Sequence, residues 1–176
     1  MDIRLARKDE LGKIKRFYDD IIDTMESSQY GPRWKKDIYP DERYIADSIE
    51  KGELYVAADE GCFAGAFVIN NQWNEGYDKI KWQVSGPREK ISVIHILGVS
   101  PLYHRRGIGE YLVQKAVEIS EAMGKKALRL DVIEGNLPAA KLYVKMGFSY
   151  RDTVSMFYEE SGWQRFRIYE FPLNVT

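Results

Sequence analysis

This sequence of 176 residues contains a single cysteine and no long hydrophobic run. Its positive and negative charges are also nearly equal in number. Cys62 is the only cysteine, so no internal disulfide can form. No apolar stretch approaches the ~20 residues that a helix needs to span a bilayer, and the N-terminus lacks the hydrophobic region of a signal peptide. The 26 basic side chains nearly balance the 27 acidic ones, which argues against a protein whose whole surface binds nucleic acid. These features predict a cytoplasmic protein without nucleic-acid or membrane partners.

Linkers, internal repeats, low-complexity tracts and clusters of metal ligands are also missing from the sequence. A chain of this length, with an ordinary apolar content of 44%, is expected to fold as a single domain over residues 1–176 with a substantial core. Cys62 lies in an apolar, strand-like run, so we expect it to be a small buried residue rather than a nucleophile. We expect no bound metal.

Patterns typical of strands and of helices alternate along the chain. The strand-like runs are residues 3–6, 54–58, 62–70, 91–99, 127–132, 148–157 and 164–171. The helix-like patterns are residues 9–27, a segment that Asp41 caps and Gly52 closes, 107–123 and 136–146. Residues 28–40 and 71–89 fit neither pattern, and we expect the second to be a long surface excursion. The order of elements predicts an α/β fold in which helices flank a central mixed sheet.

The most informative motif joins the apolar run 91–99 to the helix pattern that follows it. It reads His104-Arg105-Arg106-Gly107-Ile108-Gly109, and this junction carries no acid before Glu110. A helix start offers unpaired N–H groups and a positive dipole end, glycines let a phosphate approach the backbone, and arginines add donors. The motif therefore predicts a pyrophosphate cradle, with an ordinary strand–loop–helix turn and a solvated basic pair as the alternative. No Gly-Lys-Ser/Thr follows the glycines, which disfavours a phosphate-loop nucleotidase.

A second motif lies in the helix pattern 136–146 and at its exit. It places Asn136 at the helix start, Ala139 and Tyr143 on one helix face, and Gly147-Phe148 behind the helix. Together with the glycine junction, it resembles the GNAT superfamily of N-acetyltransferases, whose motifs read Gln/Arg-x-x-Gly-x-Gly/Ala and roughly Asn-x-x-Ala-x-x-x-Tyr-x-x-x-Gly-Phe. The order of elements is also similar over nearly the whole chain. One departure is His104, where the family usually has glutamine or arginine.

The resemblance implies a GNAT-like fold and acetyl-CoA as co-substrate, with no metal. It implies that Leu97 and Val99 contact the pantetheine through backbone groups, as an added strand would. It also implies that Asn136 hydrogen-bonds the cofactor near that arm and that Tyr143 lies beside the thioester sulfur. The residues implied around the pyrophosphate are His104, Arg105, Arg106, Gly107, Ile108, Gly109 and Glu110. Because backbone N–H groups hold the pyrophosphate in this family, a histidine at 104 need not abolish binding, although it could make binding weaker or pH-dependent.

Acetyl transfer to an amine requires one group that takes a proton from the ammonium form and another that protonates the leaving thiolate. The resemblance makes Tyr143 the candidate acid, with simple packing on Phe148 as the structural alternative. Some family members carry a glutamate on the central strand where this sequence has Val93. Strand alternation places His95 on the same face as Val93 and Leu97, and some arylalkylamine acetyltransferases of the family have histidine there. His95 is therefore the candidate base, with a buried and hydrogen-bonded histidine as the alternative.

The acceptor site is defined less closely. Asp131 could attract a cationic amine or relay a proton, or it could pair with a neighbouring cation. Trp34 and Tyr39 lie in a segment that borders the acceptor site in this fold, although aromatic rings also bury hydrophobic area wherever they can. We predict an acetyl-CoA-dependent N-acetyltransferase that acts by direct attack of a primary amine, in the first place a small molecule. A protein or peptide acceptor and a non-catalytic acyl-CoA-binding or sensing module remain alternatives, and the resemblance allows a homodimer.

Overall fold

The computed structural model describes residues 1–174. Within that range the helices are α1 (Leu11–Met25), α2 (Glu42–Glu50), α3 (Ile108–Ala122) and α4 (Leu137–Lys145). The strands are β1 (Asp2–Leu5), β2 (Leu54–Asp59), β3 (Cys62–Asn70), β4 (Ile91–Val99), β5 (Ala127–Ile133), β6 (Ser149–Tyr158) and β7 (Gly162–Pro172). They are hydrogen-bonded in the order β1-β2-β3-β4-β5-β7-β6, with β4 and β5 parallel and several antiparallel pairs. The predicted α/β fold with a mixed sheet and flanking helices is confirmed.

Most element boundaries lie close to the predicted ones, because apolar runs, capping side chains and glycines set them as predicted. Strands β3 and β4 have the predicted bounds. The carboxylate of Asp41 caps α2 by accepting a hydrogen bond from Tyr44 N at 2.7 Å, and Gly52 follows the helix with φ +67°. The predicted first helix is divided, however. Its start is a turn of 3-10 helix, Lys8–Glu10, in which the carboxylate of Glu10 accepts a hydrogen bond from Arg7 N at 2.9 Å.

By their internal contacts, the residues form two compact units. The first consists of Met1–Ile69 and His95–Leu112, and the second of Asn70–Ile94 and the residues from Val113 onward. Strand β4 and helix α3 each contribute residues to both units.

The core of the first unit lies where α1 and α2 pack on its strands. Ile14, Tyr18, Ile45 and Leu54 are fully buried in one hydrophobic cluster there. Gly98 in β4 permits the close approach of α1, because a Cβ atom at this position would lie 2.8 Å from Ile21 Cδ1. The tight packing of α1 against β4 therefore depends on a glycine.

In the second unit, residues 71–89 are largely exposed, as expected of a surface excursion, but part of the segment is anchored in the core. They include a 3-10 helix, Glu75–Lys79, in which Tyr77 is only 1% exposed. Tyr77 packs in a hydrophobic cluster with Val93 and Met156. The backbone of the segment is also held by distant partners. One of these is the carboxylate of Glu170, which accepts hydrogen bonds from Gln83 N and Val84 N.

Cys62 is exposed, so the prediction that it is buried is wrong. It is the first residue of β3 and directly follows a turn in which Glu60 and Gly61 both have positive φ, at +47° and +85°. Its apolar neighbours belong to the strand interior, whereas Cys62 lies at the strand end. No helix in residues 1–174 combines the length and apolar character needed to cross a bilayer. The same residues contain no group of three or more His, Cys, Asp or Glu side chains placed to hold a metal ion.

Candidate active site

The predicted pyrophosphate cradle is an exposed turn at the N-terminus of α3. After β4, a short 3-10 helix, Pro101–Tyr103, leads into the turn, and α3 begins at Ile108. Arg105 and Gly107 both have positive φ, at +62° and +75°. Such left-handed residues expose successive backbone N–H groups, an arrangement that binds anions in other proteins. A Cβ atom at Gly107 would meet no atom within 4 Å, so the space beside this backbone is open.

The cradle side chains divide into exposed and anchoring groups. His104, Arg105 and Arg106 are exposed, whereas Ile108 is buried, with 5% of its surface accessible. The guanidinium of Arg106 lies 5.3 Å from the ring centre of Tyr103, whose hydroxyl donates a hydrogen bond to Asp59 at 3.2 Å. Two arginines next to an open helix N-terminus give the turn the charge and the donors that a pyrophosphate requires.

Strand β4 departs from regular extended geometry at Ile96, whose φ is +43°. This conformation is strained for a β-branched residue and costs roughly 1–3 kcal/mol. The buried hydroxyl of Tyr18 donates a hydrogen bond of 2.9 Å to the carbonyl oxygen of Ile96. A side chain of α1 therefore holds the strained peptide in place. Neither residue was singled out from the sequence, because no local pattern connects positions 78 apart.

His95, Leu97 and Val99 are half-buried, whereas Ile96 between them is buried. The left-handed residue at 96 interrupts the regular alternation on which the prediction of a common strand face rested. His95 directly precedes it. The role of His95 as a base and the contacts of Leu97 and Val99 with pantetheine stay predictions.

In the second unit, Asn136 caps the helix that carries Tyr143. Its side-chain oxygen accepts a hydrogen bond from Ala139 N at 3.3 Å, so the predicted N-cap is confirmed. The ring of Tyr143 packs edge-on against Phe148, with 5.6 Å between centroids, and obliquely against Tyr169. Tyr143 therefore packs on Phe148, as the structural alternative predicted. This packing involves only the ring and does not engage the hydroxyl.

The Tyr143 hydroxyl forms no hydrogen bond to any residue that the structure describes, and only 7% of the residue is exposed. In residues 1–174 the polar side-chain atoms that are fully buried without a partner are Ser92 Oγ and Ser120 Oγ, so the Tyr143 hydroxyl is not among the completely buried groups. Burial, together with the negative charge of Asp131, raises the pKa of Tyr143 well above its ordinary value of 10.0. The hydroxyl is consequently protonated throughout the neutral range and can serve as a proton donor.

Asp131 is linked to a residue that the sequence did not identify. The hydroxyl of Tyr77 donates a hydrogen bond of 2.7 Å to Oδ2 of Asp131. Burial raises the pKa of the Asp131 carboxyl to about 6, although the hydrogen bond from Tyr77 acts in the opposite direction. Tyr77 gave no signal in the sequence, because it lies in a polar segment 54 positions from its partner.

The aromatic residues around Tyr77 are covered by cations of the chain itself. Trp73 stacks parallel to Tyr77 at 6.3 Å, and the guanidinium of Arg88 lies 3.9 Å from the ring centre of Trp73. Arg129 covers Trp82 in the same way at 3.7 Å. These cation–π contacts occupy one face of each indole, so the two rings stabilise the segment 71–89.

Trp34 and Tyr39, the predicted acceptor-site aromatics, pack in the first unit. Trp34 lies edge-on to Tyr18 with 5.8 Å between centroids, and Tyr39 packs against Tyr44 at 5.4 Å. Both are partly buried against the hydrophobic cluster of α1 and α2. A role in packing is therefore established for both, and contact with the acceptor stays a prediction.

Comparisons with known proteins identify the family of the chain. Residues 16–148 match the Acetyltransferase (GNAT) family. The chain belongs to this family and is an acyltransferase.

Individual relatives and solved structures resemble the chain over most of its length. It is 28% identical to an uncharacterized N-acetyltransferase of Archaeoglobus fulgidus over 143 residues, which cover 81% of this chain and 89% of the relative. A GNAT-family acetyltransferase structure from Streptococcus agalactiae superposes with a TM-score of 0.80 at 21% identity, covering 98% of this chain and 95% of the other. The yncA protein of Salmonella typhimurium, solved with its cofactor acetyl-CoA, has a TM-score of 0.72 at 16% identity and covers 100% and 95%.

Proposed function

We propose that the protein is an acetyl-CoA-dependent N-acetyltransferase that transfers an acetyl group to a primary amine of a small molecule by direct attack. The observation that carries this proposal is the turn before α3, with left-handed backbone at Arg105 and Gly107 and open space beside Gly107. The turn precedes a helix of 15 residues, whose positive dipole end attracts phosphate. The yncA structure with acetyl-CoA supports the choice of co-substrate.

The residues of the turn fit a pyrophosphate. The backbone N–H groups near Gly107 and Gly109 supply donors, and Arg105 and Arg106 supply charge from exposed positions. The nearest acid along the chain, Glu110, lies within the first turn of α3. His104 is exposed, so its imidazole is free to turn away from a bound anion.

The chemistry that acetyl-CoA supplies when bound is an acetyl thioester. Tyr143 would donate its hydroxyl proton to the departing sulfur, a role that its raised pKa permits. Asn136 would hold the pantetheine through its side-chain amide nitrogen, since its oxygen is engaged in the cap of α4. Backbone groups of Leu97 and Val99 would hold the same arm.

The experiment that tests the function is a thiol-release assay with acetyl-CoA and a panel of polyamines, arylalkylamines, amino acids, aminoglycosides and short peptides. Turnover with one small-amine class is expected and would define the acceptor chemistry. Turnover with peptides alone would contradict the small-molecule acceptor. Absence of turnover across the panel, with CoA binding confirmed by a melting shift, would contradict catalysis on these amines and favour a sensing role.

A pair of glycine variants tests the cradle directly. Gly107→Ala and Gly124→Ala each place a Cβ atom in open space at a positive φ, +75° and +67° respectively, so both are expected to cost ~1–2 kcal/mol of stability. We expect only Gly107→Ala to raise the KM for acetyl-CoA, by roughly tenfold, which corresponds to ~1.4 kcal/mol. Gly124 follows the C-terminus of α3 and is the matched control. Equal KM values in the two variants would contradict the cradle.

A further inference from the structure

The carbonyl oxygen of Ile96 in β4 is held by a side chain from α1. The hydroxyl of Tyr18 donates the hydrogen bond of 2.9 Å that holds it. In a regular strand, the carbonyl and N–H groups lie close to the plane of the sheet, where they pair with the adjacent strands. The bond to Tyr18 instead directs the Ile96 carbonyl out of that plane, toward the face of the sheet on which α1 packs.

The backbone at Ile96 gives the next amide group the opposite direction. The φ of Ile96 is +43°, in the left-handed region, so the chain leaves the regular strand geometry at this residue. Because the peptide bond is planar and trans, the N–H of Leu97 points away from the carbonyl of Ile96. The Leu97 N–H is therefore directed toward the face of the sheet opposite α1.

The face opposite α1 is also the one on which the start of α3 packs. Ala66 and Val68 of β3 belong to the hydrophobic cluster of α1 and α2. Gly65 alternates with them, and a Cβ atom at this glycine would lie 2.5 Å from Leu112 Cδ1 of α3. The Leu97 N–H and the helix that follows the glycine turn are consequently on the same side of the sheet.

Tyr18 is fixed both in position and in protonation. It is 0% exposed, and its ring packs edge-on against Phe17 and Trp34, with 5.0 and 5.8 Å between centroids. The ring also lies against Gly98, where a Cβ atom would be 3.5 Å from Tyr18 Cε1. Burial raises the pKa of Tyr18 well above its ordinary value of 10.0. The hydroxyl is therefore a permanent donor throughout the neutral range.

We propose that Tyr18 is a positioning residue for acetyl transfer, whose hydroxyl fixes the Ile96–Leu97 peptide so that the Leu97 N–H donates to the thioester oxygen of acetyl-CoA. The inference rests on the proposed function, in which backbone groups of Leu97 contact the pantetheine arm. Because Tyr18 is fully buried, it acts through this peptide and not by contact with a substrate.

A fixed N–H at this place stabilises the charge that develops during the reaction. As the amine nitrogen bonds to the acetyl carbon, the carbonyl π electrons move to oxygen, where the N–H meets the growing negative charge. They return when the carbon–sulfur bond breaks, and the nitrogen gives up one proton while the sulfur gains one. A hydrogen bond to the oxygen of an amide polarises that amide, so the Tyr18 hydroxyl also strengthens donation from Leu97.

The test measures the carbonyl stretch of acetyl-CoA, isotopically labelled at the thioester carbonyl and bound without an acceptor, by infrared difference spectroscopy. Wild type is compared with Tyr18→Phe, which deletes only the hydroxyl, and with protein that carries 3-fluorotyrosine in place of Tyr18. Fluorine keeps the hydroxyl and makes it a stronger donor, so this protein tests the proposal even where Tyr18→Phe folds poorly. Ser48→Ala is the matched control, because it also removes a buried hydroxyl that donates to a backbone carbonyl, that of Tyr44 at 2.8 Å.

We expect the stretch to lie at higher frequency in Tyr18→Phe than in wild type, at lower frequency with 3-fluorotyrosine, and at the wild-type value in Ser48→Ala. A purely structural role would lower the stability of Tyr18→Phe without moving the stretch in opposite directions. In steady-state kinetics, Tyr18→Phe should lower kcat about tenfold, less than the ~100-fold loss that follows removal of a whole donor, with KM for acetyl-CoA within about twofold of wild type.

The same measurement separates failure of this inference from failure of the proposed function. Bound acetyl-CoA with one carbonyl stretch in all four proteins would overturn the inference and leave the proposed function standing. A kcat of Tyr18→Phe equal to that of wild type would also overturn it. Absence of bound acetyl-CoA in wild type would contradict the proposed function, and the inference with it.

Discussion

At the scale of single residues, Tyr143 combines a packed ring with an unbonded hydroxyl. The ring contacts Phe148 and Tyr169, whereas the hydroxyl forms no hydrogen bond within residues 1–174. The observed packing role and the proposed acid role therefore belong to different atoms of one side chain, and a substitution that removes only the oxygen separates them.

Tyr143→Phe is expected to lower kcat by roughly 100-fold, the usual contribution of a general acid. The KM for acetyl-CoA and the free energy of unfolding should change little, because the ring stays and no hydrogen bond is lost. The control is Tyr150→Phe, whose exposed hydroxyl is 2.7 Å from Thr153 Oγ1. Steady-state kinetics and urea unfolding provide the measurements. A kcat equal to that of the control would show that the hydroxyl is not the acid.

At the scale of elements, the segment 71–89 is held by a buried ion pair rather than by regular secondary structure. The side chains of Arg129 and Glu170 are 5% and 0% exposed. Glu170 accepts from the N–H groups of Gln83 and Val84, and Arg129 donates to the Val84 carbonyl. The pair thereby satisfies backbone groups of the segment that carries Tyr77.

Glu170→Gln removes the charge of this pair with almost no change in shape. We expect a loss of ~3–5 kcal/mol in the free energy of unfolding, because the Arg129 charge is left buried without its partner. Glu134→Gln is the matched control, since it breaks an exposed pair of 2.8 Å with Arg165 that is worth less than ~1 kcal/mol. Urea unfolding at neutral pH measures both. Similar losses in the two variants would contradict the anchoring role.

Element boundaries and helix caps were predictable where short stretches of sequence determine them. The bounds of β3 and β4 follow from continuous apolar runs, and the caps at Asp41 and Asn136 follow from local hydrogen bonds. These signals depend on neighbours within a few positions. The anchoring of residues 71–89 could not be predicted in the same way, because Glu170 is 86 and 87 positions away from the backbone donors that it holds.

At the scale of the whole molecule, the two motifs were sufficient to identify the family but could not reveal the hydrogen bond between Tyr77 and Asp131. The glycine turn and the helix capped by Asn136 are contiguous in sequence, so the spacing of their residues could be read directly. The pair of Tyr77 and Asp131 joins a 3-10 helix to a strand and has no spacing to recognise. Neither Tyr77 nor the bracing of Ile96 by Tyr18 could be found without the tertiary structure.

Two carboxyl groups with opposite pKa shifts give the stability of the molecule a defined pH dependence. The hydrogen bond from Arg4 lowers the pKa of Glu10 to about 2 from an ordinary 4.5, so its stabilising contribution is complete above pH 4.5 and is lost as pH falls toward 2. Burial raises the pKa of Asp131 to about 6 from 3.8. Its ionisation therefore costs nothing below pH 3.8, costs more as pH rises, and costs its full amount above pH 6.

The difference in unfolding free energy between each variant and wild type isolates these contributions. Asp131→Asn keeps an oxygen for the Tyr77 hydroxyl and avoids the cost of the charge, so we expect it to be more stable than wild type at pH 7, by up to ~3 kcal/mol, and similar at pH 4. Glu10→Gln should be less stable than wild type at pH 7 by a similar amount, with the difference shrinking below pH 4.5. Urea unfolding between pH 3 and 8 checks both. Because the two shifts have opposite sign, wild type should gain stability from pH 7 to 5 through Asp131 and lose it below pH 4.5 through Glu10. A variant difference that stays constant with pH would contradict the assignment for that residue.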